Sequence, residues 1–218
     1  MIPQYASALL ISDLHLTPSM PLTAQRFFDF CEKDAPKVEV VLILGDLFEY
    51  WVGDDAALHS PFHQEVKKAL ATLSTKVKIY YLHGNRDFLV GKYFLSKTGM
   101  TLLPDPSKMN IAGSEYILCH GDSLCTADIG YQVFRSWVPK PWIQKLFLRM
   151  PLNWRRSIAN YLRSNSGVQY QRSIQSSFEG AQAKTDVTLA ACAAVLKDQA
   201  GNQLIHGHTH RPKHHQEH

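Results

Sequence analysis

The sequence predicts an α/β protein built around one main hydrophobic core. Through the first half of the chain, short apolar runs suited to buried strands alternate with segments whose apolar residues repeat at helical spacing. The clearest run, residues 38–44, is almost entirely apolar and ends at Gly45, as expected of a strand covered on both faces. The length of 218 residues fits one ordinary domain, or a domain with an insertion.

Cysteine usage and the apolar runs predict a protein of a reducing compartment. The four cysteines include no CxxC pair, and Cys31 and Cys119 lie on apolar stretches, so buried free thiols are expected. No apolar run approaches the roughly 18 residues of a membrane span, and the N-terminus lacks the regions of a secretory signal. We therefore expect a cytoplasmic protein, with attachment to a membrane surface left open.

The elements of the first half follow from these patterns in chain order. They are a strand at 8–12, a helix from Leu22 to Cys31 that stops before Asp34, a strand at 38–44, a helix at 62–73, a strand at 77–82 and a helix at 88–98. Ser60 and Pro61 form a typical start for the second helix, and Gly99 a typical end for the third.

The second half changes character twice. Residues 102–119 predict short antiparallel strands joined by a turn at Ala112-Gly113-Ser114. Residues 127–184, called the insert below, contain three amphipathic segments separated by prolines, which predict a helical insertion. A core helix at 183–197 and a strand at 203–205 complete the predicted elements.

The formal net charge of +4 conceals a local excess of cations. No Asp or Glu occurs between Ile129 and Phe178, so the rest of the chain is net acidic. The basic residues of this stretch are Arg135, Lys140, Lys145, Arg149, Arg155, Arg156, Arg163 and Arg172. A cationic segment without acidic partners predicts an anionic ligand or surface.

Five predicted strands end in Asp, Asn or His. These ends are Asp13-Leu14-His15, Gly45-Asp46, Gly84-Asn85, His120-Gly121-Asp122 and Gly207-His208-Thr209-His210. Any one of them alone is more typical of a helix cap or a satisfied polar group. Together they offer oxygen and imidazole ligands at the strand ends, where α/β folds place their sites, and so predict two adjacent divalent cations.

The order of these motifs resembles the calcineurin-like metallophosphoesterase superfamily. Longer stretches resemble, within it, the family of UDP-2,3-diacylglucosamine diphosphatases of lipid A biosynthesis. They are residues 45–55, 83–89, 120–126 and 206–212, and they span almost the whole chain.

The resemblance implies an αββα two-sheet sandwich with a helical insertion. Residues 1–126 and 185–218 would form the two parts of the core, and residues 127–184 a lipid-binding cap. The family fold continues with further strands after the last motif, so the sequence is expected to be truncated at its end.

The resemblance also implies a set of metal ligands and catalytic residues. Asp13, His15, Asp46 and His210 would hold one cation, and Asp46, Asn85, His120 and His208 the other, with Mn²⁺ expected at both. Asp46 would bridge the two cations and, with Asn85, Arg86 and His120, would act in catalysis on water activated between them.

Arg86 bears on the substrate class. Many relatives in the superfamily have a histidine here, which can protonate an alkoxide leaving group, whereas arginine stays charged near neutral pH. A diphosphate leaves as a phosphate monoester that needs no proton, and a guanidinium can hold its oxygens. The plainer alternative is a surface arginine beside Asp87.

The remaining substrate contacts would come from the insert. Candidates for the sugar and diphosphate are Asn85, Arg86, Asp128, Tyr131, Arg163, Ser166, Arg172 and His208. An acyl groove would be formed by Trp137, Trp142, Phe147 and Trp154. From the sequence alone, these aromatic side chains fit an ordinary core at least as well.

The function that the resemblance implies is hydrolysis of UDP-2,3-diacylglucosamine at the α-phosphorus, giving UMP and 2,3-diacylglucosamine 1-phosphate. The enzyme would act at the cytoplasmic face of the inner membrane, on an anionic surface, with neither nucleic acid nor an obligate protein partner. The alternatives are a phosphodiesterase or nuclease that binds nucleic acid through the basic insert, and a metal-free scaffold for protein binding. The full set of seven ligands argues against the scaffold.

Overall fold

The protein forms two four-stranded sheets with helices around them. The computed structural model describes residues 2–162, 164, 186–211 and 213–214. The strands are β1 (Gln4–Tyr5), β2 (Ala8–Ile11), β3 (Val40–Ile43), β4 (Lys78–Tyr81), β5 (Thr101–Leu102), β6 (Ser107–Ile111), β7 (Ser114–Cys119) and β8 (Leu204–His206). The helices are α1 (Pro21–Asp29), α2 (Asp54–Leu58), α3 (Pro61–Ser74), α4 (Lys92–Thr98), α5 (Ile129–Trp137), α6 (Pro141–Arg149), α7 (residues 152–162) and α8 (Leu189–Asp198).

The first sheet, in the order β2-β3-β4-β5, is wholly parallel. The second, in the order β1-β6-β7-β8, pairs β6 and β7 antiparallel through the turn predicted at Ala112, and its other pairs are parallel. These two sheets confirm the α/β class and the predicted sandwich.

The core lies on both faces of β3. Val40 and Leu42 pack against Met109 and Leu118 of the second sheet, and so fill the space between the sheets. The residues that alternate with them face the helices α1, α3 and α4. This second cluster includes Val41, Ile43, Phe27, Leu70 and Phe94. All four residues of β3 are buried, as its apolar sequence predicts.

The structure corrects three predicted helices. The first does not stop before Asp34, because α1 continues through a π turn, Phe30–Asp34, and a 3₁₀ turn, Ala35–Lys37. The third begins at Lys92, four residues later than predicted, because the preceding residues form the turn that follows β4. The helix predicted to lie in the core, α8, has no buried residue, and Leu189 is 49% exposed. Residues 183–185 of that prediction lie outside the described residues.

The helical nature of the insert is confirmed where the structure describes it. Helices α5, α6 and α7 correspond to the three amphipathic segments. Each break between them contains a proline, Pro139 in the first and Pro151 in the second, as predicted. The outer limits predicted for the insert and for the two parts of the core remain predictions.

Asp87 connects the loops that follow β3 and β4. Its side chain is fully buried and accepts hydrogen bonds from the backbone N–H groups of Leu47, at 2.8 Å, and Gly84, at 2.9 Å. Two longer bonds, of 3.3 Å, come from the N–H groups of Asp46 and Phe48. One carboxylate thus replaces the water that these four donors lose on folding.

We expect Asp87→Ala to destabilise the protein strongly, because it leaves buried N–H groups without acceptors. Each unsatisfied donor costs about 1 to 3 kcal/mol, so the free energy of unfolding should fall by about 3 kcal/mol or more. Urea unfolding of the metal-free protein measures it. Asp34→Ala is the control, since it removes an exposed ion pair with Lys37 and should change little. Similar stabilities for both variants would contradict this role of Asp87.

Candidate metal centre

The predicted ligands meet at one edge of the sandwich. Backbone hydrogen bonds continue the pairing of β2 and β3 beyond the strands, from Asp13 N to Gly45 O (3.1 Å) and from His15 N to Asp46 O (3.0 Å). The second sheet joins them where His208 N donates to Asp13 Oδ2 at 2.7 Å. The carboxyl ends of strands from both sheets therefore face a common space.

The side chains form two neighbouring groups of potential ligands. One contains Asp13, His15 and His210, the other Asp46, His120 and His208, and within each group the ligand atoms lie within 4.8 Å of one another. Asn85 belongs with the second group, because its Oδ1 lies 3.1 Å from both His120 Nε2 and His208 Nδ1. The structure thus brings together all seven residues that the sequence predicts as ligands.

Asp46 lies between the two groups. Its Oδ1 accepts a hydrogen bond of 2.8 Å from the backbone N–H of Arg86. Its Oδ2 lies 3.8 Å from His15 Nε2 on one side and 3.7 Å from His120 Nε2 on the other. One oxygen is therefore held by the backbone, and the other is placed where a bridging ligand would be.

Backbone strain is concentrated at these residues. Of the seven non-glycine residues with positive φ in the described part of the chain, five are predicted ligands. They are Asp13, His15, Asp46, His208 and His210, with φ between 47° and 71°. Such conformations are uncommon outside glycine and persist where the surroundings enforce them, often at functional sites.

Two glycines let the loops approach one another closely. A Cβ at Gly84 would collide with the Asp46 carboxylate and its backbone nitrogen. A Cβ at Gly45, which has a φ of +90°, would lie 2.6 Å from His120 Nδ1. Substitution of either residue would therefore separate the strand ends that carry the ligands.

The electrostatic environment suits a cation. Burial removes water from the Asp46 carboxylate and so raises its pKa to about 7. The nearby His120 opposes this shift. Burial also lowers the pKa of His208 to about 4 and, to a smaller extent, that of His210, which keeps both imidazoles in the neutral form that binds metals. Asp13 Oδ1 is buried and has no hydrogen-bond partner. Oxygen and neutral nitrogen donors around an unsatisfied oxygen fit divalent cations.

Outer hydrogen bonds orient two of the imidazoles. His120 Nδ1 lies 2.8 Å from Leu44 O, so it carries the proton and leaves Nε2 free as a ligand atom. His15 Nδ1 lies 3.3 Å from Glu49 Oε2. Burial alone would lower the pKa of His15, but Glu49 and Asp46 raise it above its usual value. The sequence did not predict this contact between Glu49 and a candidate ligand.

Arg86 lies beside Asp46. Its backbone N–H donates to Asp46 Oδ1 at 2.8 Å. Its backbone accepts a hydrogen bond from Trp51 N at 3.0 Å. The backbone of Arg86 is therefore part of the site, and the role of its side chain, in the site or as a surface arginine beside Asp87, remains a prediction.

The insert reaches the site through Tyr131. Its ring stacks on His208 at 6.2 Å between centroids, and its hydroxyl donates to Asp122 Oδ2 at 2.6 Å. Asp128 caps α5 by accepting from Tyr131 N at 2.9 Å. Three of the predicted substrate contacts, Arg163, Ser166 and Arg172, lie outside the described residues.

Asp122 is a second residue whose role the sequence did not predict. Its carboxylate is buried and also accepts from Arg135 Nε at 2.8 Å. Burial would raise the pKa of Asp122, but Arg135 and the Tyr131 hydroxyl lower it below its usual value. The sequence offered one signal for this contact. Asp122 ends the His-Gly-Asp motif, and the basic segment that contains Arg135 follows it in the chain.

This contact corrects the prediction that the basic insert lacks acidic partners. Arg135 pairs with Asp122, and Arg155 pairs with Asp55 of the core.

Known proteins resemble this chain over nearly all of its length. A UDP-2,3-diacylglucosamine hydrolase of Ralstonia nicotianae is 46% identical over 210 residues, which cover 95% of this chain and 78% of that protein. Proteins of the same name from Aeromonas salmonicida and Escherichia coli are 44% and 42% identical over 94% and 96% of this chain, and over 78% and 84% of their own length.

Solved structures are more distant. The Escherichia coli phosphoesterase Yfce is 20% identical, covers 52% of this chain and 57% of its own, and aligns with a TM-score of 0.35, too low to support a common fold by itself. The profile of calcineurin-like phosphoesterases, in contrast, matches residues 7–212, a range that begins before Asp13 and ends after His210. The chain belongs to the calcineurin-like phosphoesterase family.

Proposed function

We propose that this protein hydrolyses the diphosphate of UDP-2,3-diacylglucosamine at the α-phosphorus, giving UMP and 2,3-diacylglucosamine 1-phosphate. The reaction is a step of lipid A synthesis. The observation that supports this proposal most directly is the complete set of seven ligands beside Arg86, in a chain that is 42% to 46% identical to hydrolases of that name.

The metal ligands divide as their positions suggest. Asp13, His15 and His210 would hold one cation and Asn85, His120 and His208 the other, and Asp46, which lies near both groups, would contribute to each. Two divalent cations, when bound, would polarise the phosphoryl oxygens and lower the pKa of a water molecule between them. Mn²⁺ fits this mixture of carboxylate, amide and imidazole ligands.

Arg86 suits a diphosphate better than an alkyl phosphate. A guanidinium can donate two parallel hydrogen bonds to phosphate oxygens and so hold the leaving group. It cannot protonate that group near neutral pH, but a departing phosphate monoester needs no proton. Tyr131, stacked on His208, and Asp128 lie at the start of the insert, where the sugar of the substrate would contact it.

The acyl chains would bind the exposed aromatic side chains of the insert. Trp137, Trp142 and Trp154 are 50%, 59% and 66% exposed, which is not the burial expected of core residues. Phe147, which the sequence analysis placed in the same groove, instead packs against the core cluster that contains Phe48. The exposed set therefore supports an apolar ligand for the insert, with Phe147 as part of its attachment.

Attachment to an anionic membrane surface at the cytoplasmic face of the inner membrane would accompany this binding. Among the described helices, none has the length and apolar character needed to cross a bilayer. Lys140 lies 3.7 Å from the centre of the Trp137 ring, which combines an apolar surface with a cation as membrane-interface sites do.

The alternative functions are less well supported. A nuclease would use the basic insert to bind phosphates, yet two of its arginines are occupied by Asp122 and Asp55. A metal-free scaffold would not require five strained ligand residues around one space.

Product analysis tests the proposed reaction directly. UDP-2,3-diacylglucosamine, incubated with the Mn²⁺-loaded protein in ¹⁸O-labelled water, should yield UMP that carries the label, because water attacks the α-phosphorus and the bridging oxygen stays with the lipid phosphate. Label on the sugar phosphate would show attack at the other phosphorus. Hydrolysis of single-stranded DNA in preference to the glycolipid would favour the nuclease.

Asp46→Asn should abolish the activity while preserving the fold. The amide keeps the shape and can still accept from Arg86 N, but it lacks the charge that two cations share. We expect kcat/KM to fall by about 100-fold or more, and bound Mn²⁺ to fall below two per chain in equilibrium dialysis. Asp198→Asn, an exposed change in α8, is the control. Two Mn²⁺ bound with near-normal activity would exclude Asp46 as the bridge.

Trp142→Ala should weaken the binding of the diacylated substrate and leave the binding of a short-chain analogue nearly unchanged. Loss of a large apolar contact is worth about 1.5 to 3 kcal/mol, so KM for this substrate should rise about 10-fold or more. A short-chain UDP analogue and the melting temperature should change little, since the side chain is exposed. Tyr93→Ala, which removes another exposed aromatic side chain from α4, is the control. Equal losses with both substrates and a lower melting temperature would indicate structural packing instead.

A further inference from the structure

In the part of the insert that the structure describes, two arginine contacts attach it to the core at separate places. The first is the contact of α5 with Asp122, beside the metal centre, through Tyr131 and Arg135. The second is Arg155 of α7, which lies against the loop between β3 and α2. Only the first attachment lies next to the ligands, so the second calls for its own explanation.

Arg155 is buried, although it lies on a helix that is otherwise largely exposed. Its side chain is 3% exposed, and every donor group of the guanidinium has a partner. Nε donates to Met150 O at 3.1 Å, Nη1 donates to Val52 O and, at 2.9 Å, to Asp55 Oδ1, and Nη2 donates to Asp55 Oδ2. This forked contact joins the turn before α7 to the core loop in one orientation.

The core loop is shaped to receive the insert. Gly53 has a φ of +125°, and a Cβ there would lie 2.5 Å from Arg155 Nη1 and 2.9 Å from Leu148 Cδ2. A side chain at this position would therefore force the ends of the Arg155 and Leu148 side chains to move, and would disturb their contact with the loop. Phe147 packs nearby against the main core cluster, so the end of α6 and the start of α7 are attached together.

The loop itself is held without the insert. Asp54 accepts from Trp51 Nε1 at 3.1 Å, from Gly91 N at 2.9 Å and from Phe94 N at 3.0 Å. Trp51 is buried in the core. Loss of Arg155 should consequently release α6 and α7 from the loop, while the loop and the metal centre keep their positions.

We propose that Arg155 is a positioning residue that fixes the end of α6 and the start of α7 to the Val52–Asp55 loop, and so determines where the exposed aromatic side chains of the insert lie relative to the metal centre. The proposal rests on the proposed function for the identity of the substrate. Arg155 contributes to the binding of the acyl chains through the insert, and not to the chemistry at phosphorus.

The test compares Arg155→Lys with Asp55→Asn, which break the same ion pair from opposite sides. A lysine keeps the charge but cannot fill the positions of three guanidinium nitrogens, and the amide of Asp55→Asn lacks the negative charge that pairs with the guanidinium. In mixed micelles, each variant should raise KM for the diacylated substrate at least about 10-fold and change kcat less than about threefold, and the double variant should resemble Arg155→Lys alone. Hydrolysis of bis(p-nitrophenyl) phosphate and Mn²⁺ affinity should stay within about twofold of wild type.

Amide hydrogen exchange gives a readout that does not depend on the substrate. Peptides from α6 and α7 should exchange faster in both variants, and peptides from β3 and β4 at the wild-type rate. Asp29→Asn, which removes the exposed 2.7 Å ion pair with Lys33, is the control and should change neither KM nor exchange in the insert.

The two proposals fail in different ways. If the wild-type protein does not hydrolyse UDP-2,3-diacylglucosamine, the proposed function is overturned. The positioning role of Arg155 is then tested only by amide hydrogen exchange in α6 and α7. Unchanged exchange, or unchanged KM with an active wild type, overturns the positioning role. The positioning role would also be overturned if hydrolysis of bis(p-nitrophenyl) phosphate fell as much as hydrolysis of the diacylated substrate, or if Mn²⁺ affinity fell. Either result would show that Arg155 supports the core as a whole.

Discussion

A buried carboxylate at the end of β3 imposes the main constraint on this structure. Asp46 is 2% exposed, and a lone anion in that position would be costly to desolvate. The fold surrounds it with the Arg86 N–H and with the imidazoles of His15 and His120, and two bound cations would more than offset the remaining cost. The strand ends must therefore converge on Asp46 for the charge to be tolerated.

That convergence explains features that look unfavourable when taken singly. Positive φ at five of the predicted ligands costs energy, and so does a fully buried Asp87. In the loops after β3 and β4, Asp87 accepts N–H groups of Asp46 and Gly84, and Gly45 and Gly84 leave room for the loops to meet. Strain and compensation thus lie within the same few loops, and the two sheets beneath supply the rigid support.

Local patterns predicted the strands and the ligands because both are written in short stretches of sequence. An apolar run that ends in Gly-Asp identifies β3 and Asp46 together. The pairs that hold the site and the insert were not predicted, since their partners are distant in sequence. Asp87 lies 40 residues from Leu47, and Arg155 lies 100 residues from Asp55. The prediction that α8 lies in the core was wrong for a related reason. An apolar sequence does not show whether another part of the fold packs against the helix.

The polar attachment of the insert is consistent with the proposed binding of acyl chains to its exposed tryptophans. Packing α5, α6 and α7 on the core through their aromatic residues would bury the surface that Trp137, Trp142 and Trp154 leave exposed. Ion pairs at Asp122 and Asp55 fix the insert together with the packing of Phe147, and their directional geometry sets its orientation. In each pair one partner is buried, Arg155 in one and Asp122 in the other, so loss of the more exposed partner would leave a buried charge with fewer contacts. In the proposed function, the core would carry out the chemistry at phosphorus, and the insert would keep its apolar side chains available for the acyl chains.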